Sequence, residues 1–305
     1  MIYALRHRTT YKYEEPVSFA RCVLRLTPRT SVSQTVLANT VNVTPRPAST
    51  HTGTGPFGEK TRTVVIDTLH TTLVIEAVSR VDVHAPPAPD AAQSLPWENV
   101  RAESLASRNL GSDGPAAYLY PTRRTPAARP LTDYARHSFT RGRPIVEAAV
   151  ELMTRIREDF TYDPDATTVS TPAIDAFNAR HGVCQDFAHV MISGLKGVGL
   201  PAAYVSGYLR TIPPPGKPRL EGADATHAWV SLWCGEALGW VGFDPTNALI
   251  AQNDHIVLAI GRDYSDVAPI DGIILAPGEQ TLKVEVDVIP QDEISAADRP
   301  RLKAS

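Results

Sequence analysis

The stretch "ARHGVCQDFAHVMISGLKGVGLPAAYVSGYLR", residues 179–210, decides how this chain is read. Phe187, Val190, Met191, Gly194, Leu195 and Val198 recur at helical spacing and predict a helix with one apolar face. Gly199 and Pro201 close it, and "AAYVSGYLR" then reads as a strand. Cys184 stands at the first turn of that helix. A helical cysteine taken alone is a packed core thiol. At a helix start, however, unpaired N–H groups and the helix dipole favour negative charge, hence the thiolate. The same N–H groups can bond a developing oxyanion. Gly182 leaves room for the turn into the helix.

A thiolate nucleophile needs a base, and the base needs an orienter. Both are available downstream. "DATHAWVSLW" puts His227 at the start of a strand, and "GWVGFDPTNA" puts Asp244 at the end of the next, before Pro245. If the two strands are antiparallel neighbours, His227 and Asp244 meet across them. The carboxylate then holds one ring nitrogen and the other faces the sulfur. Alone, His227 reads as a satisfied strand histidine and Asp244 as the start of an Asp-Pro turn; the pairing lifts both.

Composition narrows the field. The chain has 305 residues, enough for two structural units and a sizeable core without cross-links. A net charge of −3 argues against nucleic-acid or anionic-membrane partners. No run approaches the ~20 apolar residues of a membrane span, and "MIYALRHRTTYKYEEP" lacks the apolar segment of a secretory signal. Three cysteines, Cys22, Cys184 and Cys234, suit a reducing interior better than a disulfide framework. A cytoplasmic protein is expected. Cys22 and Cys234 read as packing residues.

The first 85 residues carry short β-branched runs broken by Pro and Gly, which predicts an antiparallel, sandwich-like β domain. Residues 86–142 read as a linker with an irregular or helical connection, "LTDYARHSFTRG" holding a short helix. "RPIVEAAVELMTRIREDFTYD" opens the next unit as a helix, with Ile145, Ala149, Leu152 and Ile156 on one face. The unit runs over 143–260. Residues 261–290 include "TLKVEVDVIP", a cleanly alternating strand able to return to the first sheet, and 291–305 form a frayed tail.

The words "GVCQDFAH", "VSGYL", "HAWV" and "WVGFDPTN" in this order resemble the transglutaminase-like superfamily. "HRTTYKYEEPVSFARCVLRLTPR" and "GRDYSDVAPIDG…LKVEVDV" are similar to the flanking parts of its bacterial branch. The resemblance implies an α+β fold whose second unit is a papain-like, transglutaminase-like core, a Cys-bearing helix packed on an antiparallel sheet. It implies Cys184 as nucleophile, His227 as general acid/base and Asp244 as orienter. The implied reaction is acyl transfer through a thioester on a protein or peptide substrate, without metal or organic cofactor. A peptidase or amidase is the leading expectation. A protein-glutamine gamma-glutamyltransferase and a non-catalytic binding module of the same fold are the alternatives.

Other roles stay open. Asn178, Tyr162 and Tyr208 are candidates for the second oxyanion donor. Asp186 reads as a helix cap, a tie to a neighbouring loop or a support for the site, and His189 as a structural hydrogen-bonder. His181, Cys184 and His189 do not match a zinc spacing. Trp229, Trp233 and Trp240 read as core, with Trp229 also able to shield the site. "GRDYSD", residues 261–266, reads equally as cleft segment or solvated loop, and "RTIPPPGKPRLEG", residues 210–222, as groove wall or connection. Oligomeric state is not written in the sequence.

Overall fold

The computed structural model of the chain describes residues 1–211, 224–275 and 278–295, with the isolated positions 298 and 302. Most of the proline-rich stretch 210–222, read as groove wall or connection, lies outside the described residues.

The first part forms six strands: β1 (Ile2–Val17), β2 (Phe19–Leu24), β3 (Gln34–Thr44), β4 (Ser49–Thr54), β5 (Lys60–Ile66) and β6 (His70–Val83). Two more, β14 (Ile270–Leu275) and β15 (Gln280–Pro290), return from the far end of the chain. They complete two four-stranded sheets in the orders β15-β1-β6-β3 and β14-β2-β5-β4. All their pairings are antiparallel. The sheets close over a core that includes Val17, Cys22, Leu24, Val64, Ile66 and Ile75. Each such fully buried side chain is worth about 1.5–3 kcal/mol against exposure. Cys22 is one of these packing residues, and burial pushes its thiol up.

The second unit holds α1 (Trp97–Ala106), α2 (Arg129–Arg136), α3 (Ile145–Asp159), β7 (Thr161–Tyr162), α4 (Ala173–Ala179), β8 (His181–Gly182), α5 (Cys184–Gly197), β9 (Ala202–Leu209), β10 (Ala225–Trp233), β11 (Trp240–Asp244), β12 (Leu249–Ile250), β13 (His255–Gly261) and α6 (Tyr264–Val267). Its sheet runs β12-β11-β10-β9-β13 and is antiparallel throughout. Phe187, Val190 and Leu195 of α5 share a core with Ala228, Val230 and Leu232 of β10. Alternation along β10 leaves His227, Trp229 and Ser231 on its other face. Residues 86–142, expected as a connection, contribute Val100, Leu131 and Ala135 to this same core.

Helix α5 departs from the one-sided pattern. Every residue from Gln185 to Lys196 is buried. Its small positions explain how a neighbour comes so close. A Cβ at Gly194 would lie 2.8 Å from Ala135 Cβ, and one at Gly197 would lie 2.1 Å from Thr132 Oγ1, so α2 seats directly on α5. Buried Lys196 is satisfied by Thr125 Oγ1 and the Arg262 carbonyl, each at 3.1 Å. Burial brings its ammonium down to about 8, against the pull of Asp263.

The two units share a further core. Tyr3, Leu5, Val81 and Val288 of the sandwich pack with Tyr208, Ile256 and Leu258 of the second sheet. Among the described residues, no helix is long and apolar enough to cross a membrane.

Candidate active site

The site forms where α5 begins. Helix α4 ends at Arg180, whose φ of 59° is left-handed and whose guanidinium lies 4.1 Å from the Phe177 ring centroid. The chain then makes the two-residue strand β8, paired in parallel with β7 so that Tyr162 stands beside Gly182. Val183, at the helix boundary, has no side-chain acceptor to cap the first turn. Asp186 supplies half of a capping box instead: its Oδ2 accepts from Val183 N–H at 2.9 Å and from the Thr167 hydroxyl at 2.6 Å. Burial raises the Asp186 carboxyl, and those two bonds oppose the rise. A Cβ at Gly182 would lie 2.6 Å from the same oxygen, so only glycine fits that approach. Cys184 is half-buried, with its N–H and that of Gln185 free of protein partners among the described residues.

The structure brings the three residues singled out from the sequence together. His227 Nε2 lies 2.8 Å from Asp244 Oδ2, and both side chains are buried. This leaves Nδ1 for the sulfur, and the Cys184 side chain interacts with the ring by hydrogen bonding and charge. Burial alone would lower the imidazole. Asp244 and then Cys184 outweigh it, and His227 is pushed up to about 10. The register of β10 on β11 pairs Val230 with Phe243, so His227 meets Asp244 diagonally rather than directly opposite. Trp229 stacks beside His227 with centroids 6.1 Å apart, and it is buried, as are Trp233 and Cys234. Trp240 is partly exposed, its indole N–H donating to the Asp113 carbonyl at 2.7 Å.

Asp244 serves as turn-former and partner to histidine at once. Its Oδ1 accepts from the N–H groups of Thr246 and Asn247 at 3.0 and 3.3 Å, the turn expected of Asp-Pro-Thr-Asn. Its Oδ2 accepts from His227, from Asn247 Nδ2 at 2.7 Å, and from His255 Nε2 at 3.2 Å. Burial would raise this carboxyl, but the bonds from His227 and His255 hold it well below the usual carboxylate range. His255 was not singled out from the sequence. It opens β13, across β9 from His227, and no local motif marks that approach.

His227, Asp244 and His255 also form a set of possible metal ligands, with ligand atoms all within 4.8 Å of one another. The separation of 2.8 Å between His227 Nε2 and Asp244 Oδ2 is a hydrogen-bond length. Two ligands about 2.1 Å from a tetrahedral ion would stand roughly 3.4 Å apart. The geometry is that of N–H donors on a carboxylate.

The remaining candidates sort by position. Tyr162 is 50% exposed, its ring packed edge-on to Phe187, and the charge of Cys184 acts on its hydroxyl, which burial raises first. Asn178 is exposed on α4. Tyr208 is buried and bonded to His7 Nδ1 at 3.0 Å, between the two units. His181 is exposed and bonds the Ala179 carbonyl. His189 is buried and its Nε2 accepts from the Tyr264 N–H at 3.2 Å. Burial lowers it to about 3, with Asp263 opposing. The segment "GRDYSD" is therefore fastened to α5 through His189 and Lys196 rather than solvated.

Residues 3–82 match the family described as the bacterial transglutaminase-like N-terminal region, and residues 132–245 match the transglutaminase-like superfamily. An uncharacterized protein of Mycobacterium tuberculosis is 41% identical over 296 residues, covering 94% of this chain and 92% of that one. One from Mycobacterium leprae is 30% identical over 92% of this chain and 96% of that one. A protein-glutamine gamma-glutamyltransferase of Pseudomonas aeruginosa is 31% identical over 162 residues, 49% of this chain but 23% of that protein. A solved protein of Cytophaga hutchinsonii, assigned only provisionally to the cysteine proteases, superposes with a TM-score of 0.73 at 23% identity. It covers 96% of this chain and 92% of its own, and it shares the fold. With both family matches falling on a β-rich N-terminal unit and an α+β core in this order, the chain belongs to the transglutaminase-like superfamily.

Proposed function

We propose that the protein is a cysteine-dependent acyl-transfer enzyme that cleaves peptide or amide bonds through a thioester. The observation that carries this reading is the buried His227 ring, bonded to Asp244 on Nε2 and engaged with the Cys184 sulfur. An imidazole raised to about 10 is protonated at neutral pH and supports a thiolate beside it. Cys184 Sγ attacks the substrate carbonyl carbon, and the electron pair of the C=O bond moves to oxygen. The free N–H groups at the start of α5 receive that oxyanion, and we assign the hydroxyl of Tyr162, paired beside Gly182, as the side-chain donor that joins them. Collapse of the intermediate breaks the C–N bond, and His227 gives its proton to the departing amine. Water, deprotonated by His227, then attacks the thioester and releases the acid. Asp244 holds the ring throughout.

A second reading has a specific observation in its favour, the 31% identity with the Pseudomonas aeruginosa gamma-glutamyltransferase. There a primary amine takes the place of water in the last step. Incubating the protein with a peptide library, with and without a primary amine, tests both by product mass. Hydrolysed peptides in both incubations support the first reading. Amine adducts at glutamine support the second. No product in either, from a folded protein, contradicts an enzyme acting on peptides.

A further inference from the structure

His255 is a buried titratable group at the site to which the mechanism above gives no task. Its contacts define its state. The Gln252 backbone N–H points at His255 Nδ1 at 3.4 Å, and a backbone N–H can only donate, so Nδ1 is bare. The ring proton of the neutral imidazole then sits on Nε2, which lies 3.2 Å from Asp244 Oδ2. The ring is fixed edge-on against Trp229, with centroids 5.1 Å apart, and its centroid lies 6.2 Å from that of His227.

Asp244 Oδ2 therefore takes three donors, His227, Asn247 and His255, on an oxygen with two lone pairs. The donors compete. Each neutral N–H that bonds a carboxylate makes it less basic, and so weakens its hold on a neighbouring proton. Asn247 is tied to Asp244 by the turn itself, through its own N–H. His255 comes from a separate strand and has no part in that turn.

We infer that His255 is a positioning residue whose Nε2–H shares Asp244 Oδ2 with His227 and so sets how tightly Asp244 holds the His227 proton. Without it, Asp244 would bind that proton more strongly, and His227 would be a poorer acid toward the departing amine. The inference rests on the proposed function and adds a residue to it.

The groups facing the cluster are few. Asp244 comes from β11, His227 from β10 and Cys184 from α5, and the charge of Cys184 also acts on Tyr162 and Tyr204. The acidic neighbour of His255, Asp254, turns away to Tyr3 at 2.8 Å and Arg210 at 3.6 Å.

The test is an NMR titration of the histidine ring signals in the full chain, with unfolding temperatures recorded for every variant. In the unaltered protein, the ring nitrogens of His255 should report the Nε2–H tautomer at pH 8.5, and His227 should titrate near 10. His255→Phe, which fills the space without a donor, should raise the His227 midpoint by about half a unit to one unit and lower kcat about threefold to tenfold at unchanged KM. His255→Gln, whose amide nitrogen replaces Nε2, should return the midpoint to within about 0.3 units of the starting value. An unmoved or lowered midpoint in a folded His255→Phe protein overturns the inference. So does an Nδ1–H tautomer in the unaltered protein, a result that stands even if the phenylalanine variant does not fold. A His227 midpoint near 6.5 in the unaltered protein would instead overturn the proposed function.

Discussion

His227 Nε2 and Asp244 Oδ2 stand 2.8 Å apart with neither side chain open to bulk water. Replacing the carboxylate by an amide of the same shape tests what that contact does. In Asp244→Asn, the turn bonds to Oδ1 survive, but an N–H now faces His227 Nε2. The ring must carry its proton on Nδ1, turned toward the sulfur, and loses the negative partner that raised it. We expect kcat for peptide hydrolysis to fall by about 10³–10⁴, as in other hydrolases whose histidine is forced into the wrong tautomer. The His227 midpoint should drop toward 6.5, and the unfolding temperature should fall with it, because Asn247 Nδ2 and His255 Nε2 also lose their acceptor. A loss of less than tenfold would leave Asp244 with only its turn.

Tyr162 stands beside Gly182 at the start of α5, is half exposed, and feels the charge of Cys184. Tyr162→Phe should therefore lower the acylation rate by about 10²-fold, the cost of one oxyanion donor. Alkylation of Cys184 by iodoacetamide should proceed at the unaltered rate, because that reaction develops no oxyanion. If both rates fall together, Tyr162 shapes the cleft instead.

Three histidines predict a stability optimum. Burial lowers His7 to about 4 and His189 to about 3, so below about 6.5 the unfolded chain binds protons that the folded chain refuses. Stability falls as pH drops through that window, by about 3 kcal/mol from His7 alone. His227 works in the opposite sense. Raised to about 10, it contributes stability that is fully present below about 6.5 and lost as pH climbs toward 10. The unfolding temperature should peak near pH 6.5, and His7→Gln should flatten the acid side. A profile that keeps rising from pH 6.5 to 9 would contradict the His227 assignment.

His189 joins the nucleophile helix to the segment Gly261–Asp266, accepting from the Tyr264 N–H at 3.2 Å. His189→Leu leaves that N–H buried and unpaired, at a cost of about 1–3 kcal/mol. Thermal unfolding should show the loss, while labelling of Cys184 in the folded protein keeps its rate. Equal stability would mean that the segment holds without this bond.

How much of this was written in the sequence depends on the range of the interaction. The apolar alternation of "TLKVEVDVIP" made the return of β15 to the first sheet legible, although Leu282 and Val284 are exposed and Asp287 is buried. The meeting of Cys184, His227 and Asp244 was legible too, because each sits at an element boundary with its own local signal. Strand β4 was not read: "STHTGT" is exposed at every position, so no buried face imprints a period on it. The all-round burial of α5 was hidden for the opposite reason. Asp186, His189, Ser193 and Lys196 look like a solvated face, yet all are buried, Asp186 under the Thr167 loop and His189 and Lys196 under the segment after β13. His255 escaped because its partner lies across two strands, and a lone histidine at a strand start carries no local mark. Tyr208, a candidate donor by residue type, faces His7 in the other unit, an alternation that only the assembled sheet fixes.

The central claim is that Cys184 forms the thioester and His227 drives it. Reaction with p-nitrophenyl acetate, followed by intact and peptide mass, tests this directly. The account predicts one acetyl group on Cys184, absent in Cys184→Ala and formed at least about 10²-fold more slowly in a folded His227→Ala protein. An adduct at another residue, or an unchanged rate without the imidazole, would contradict it.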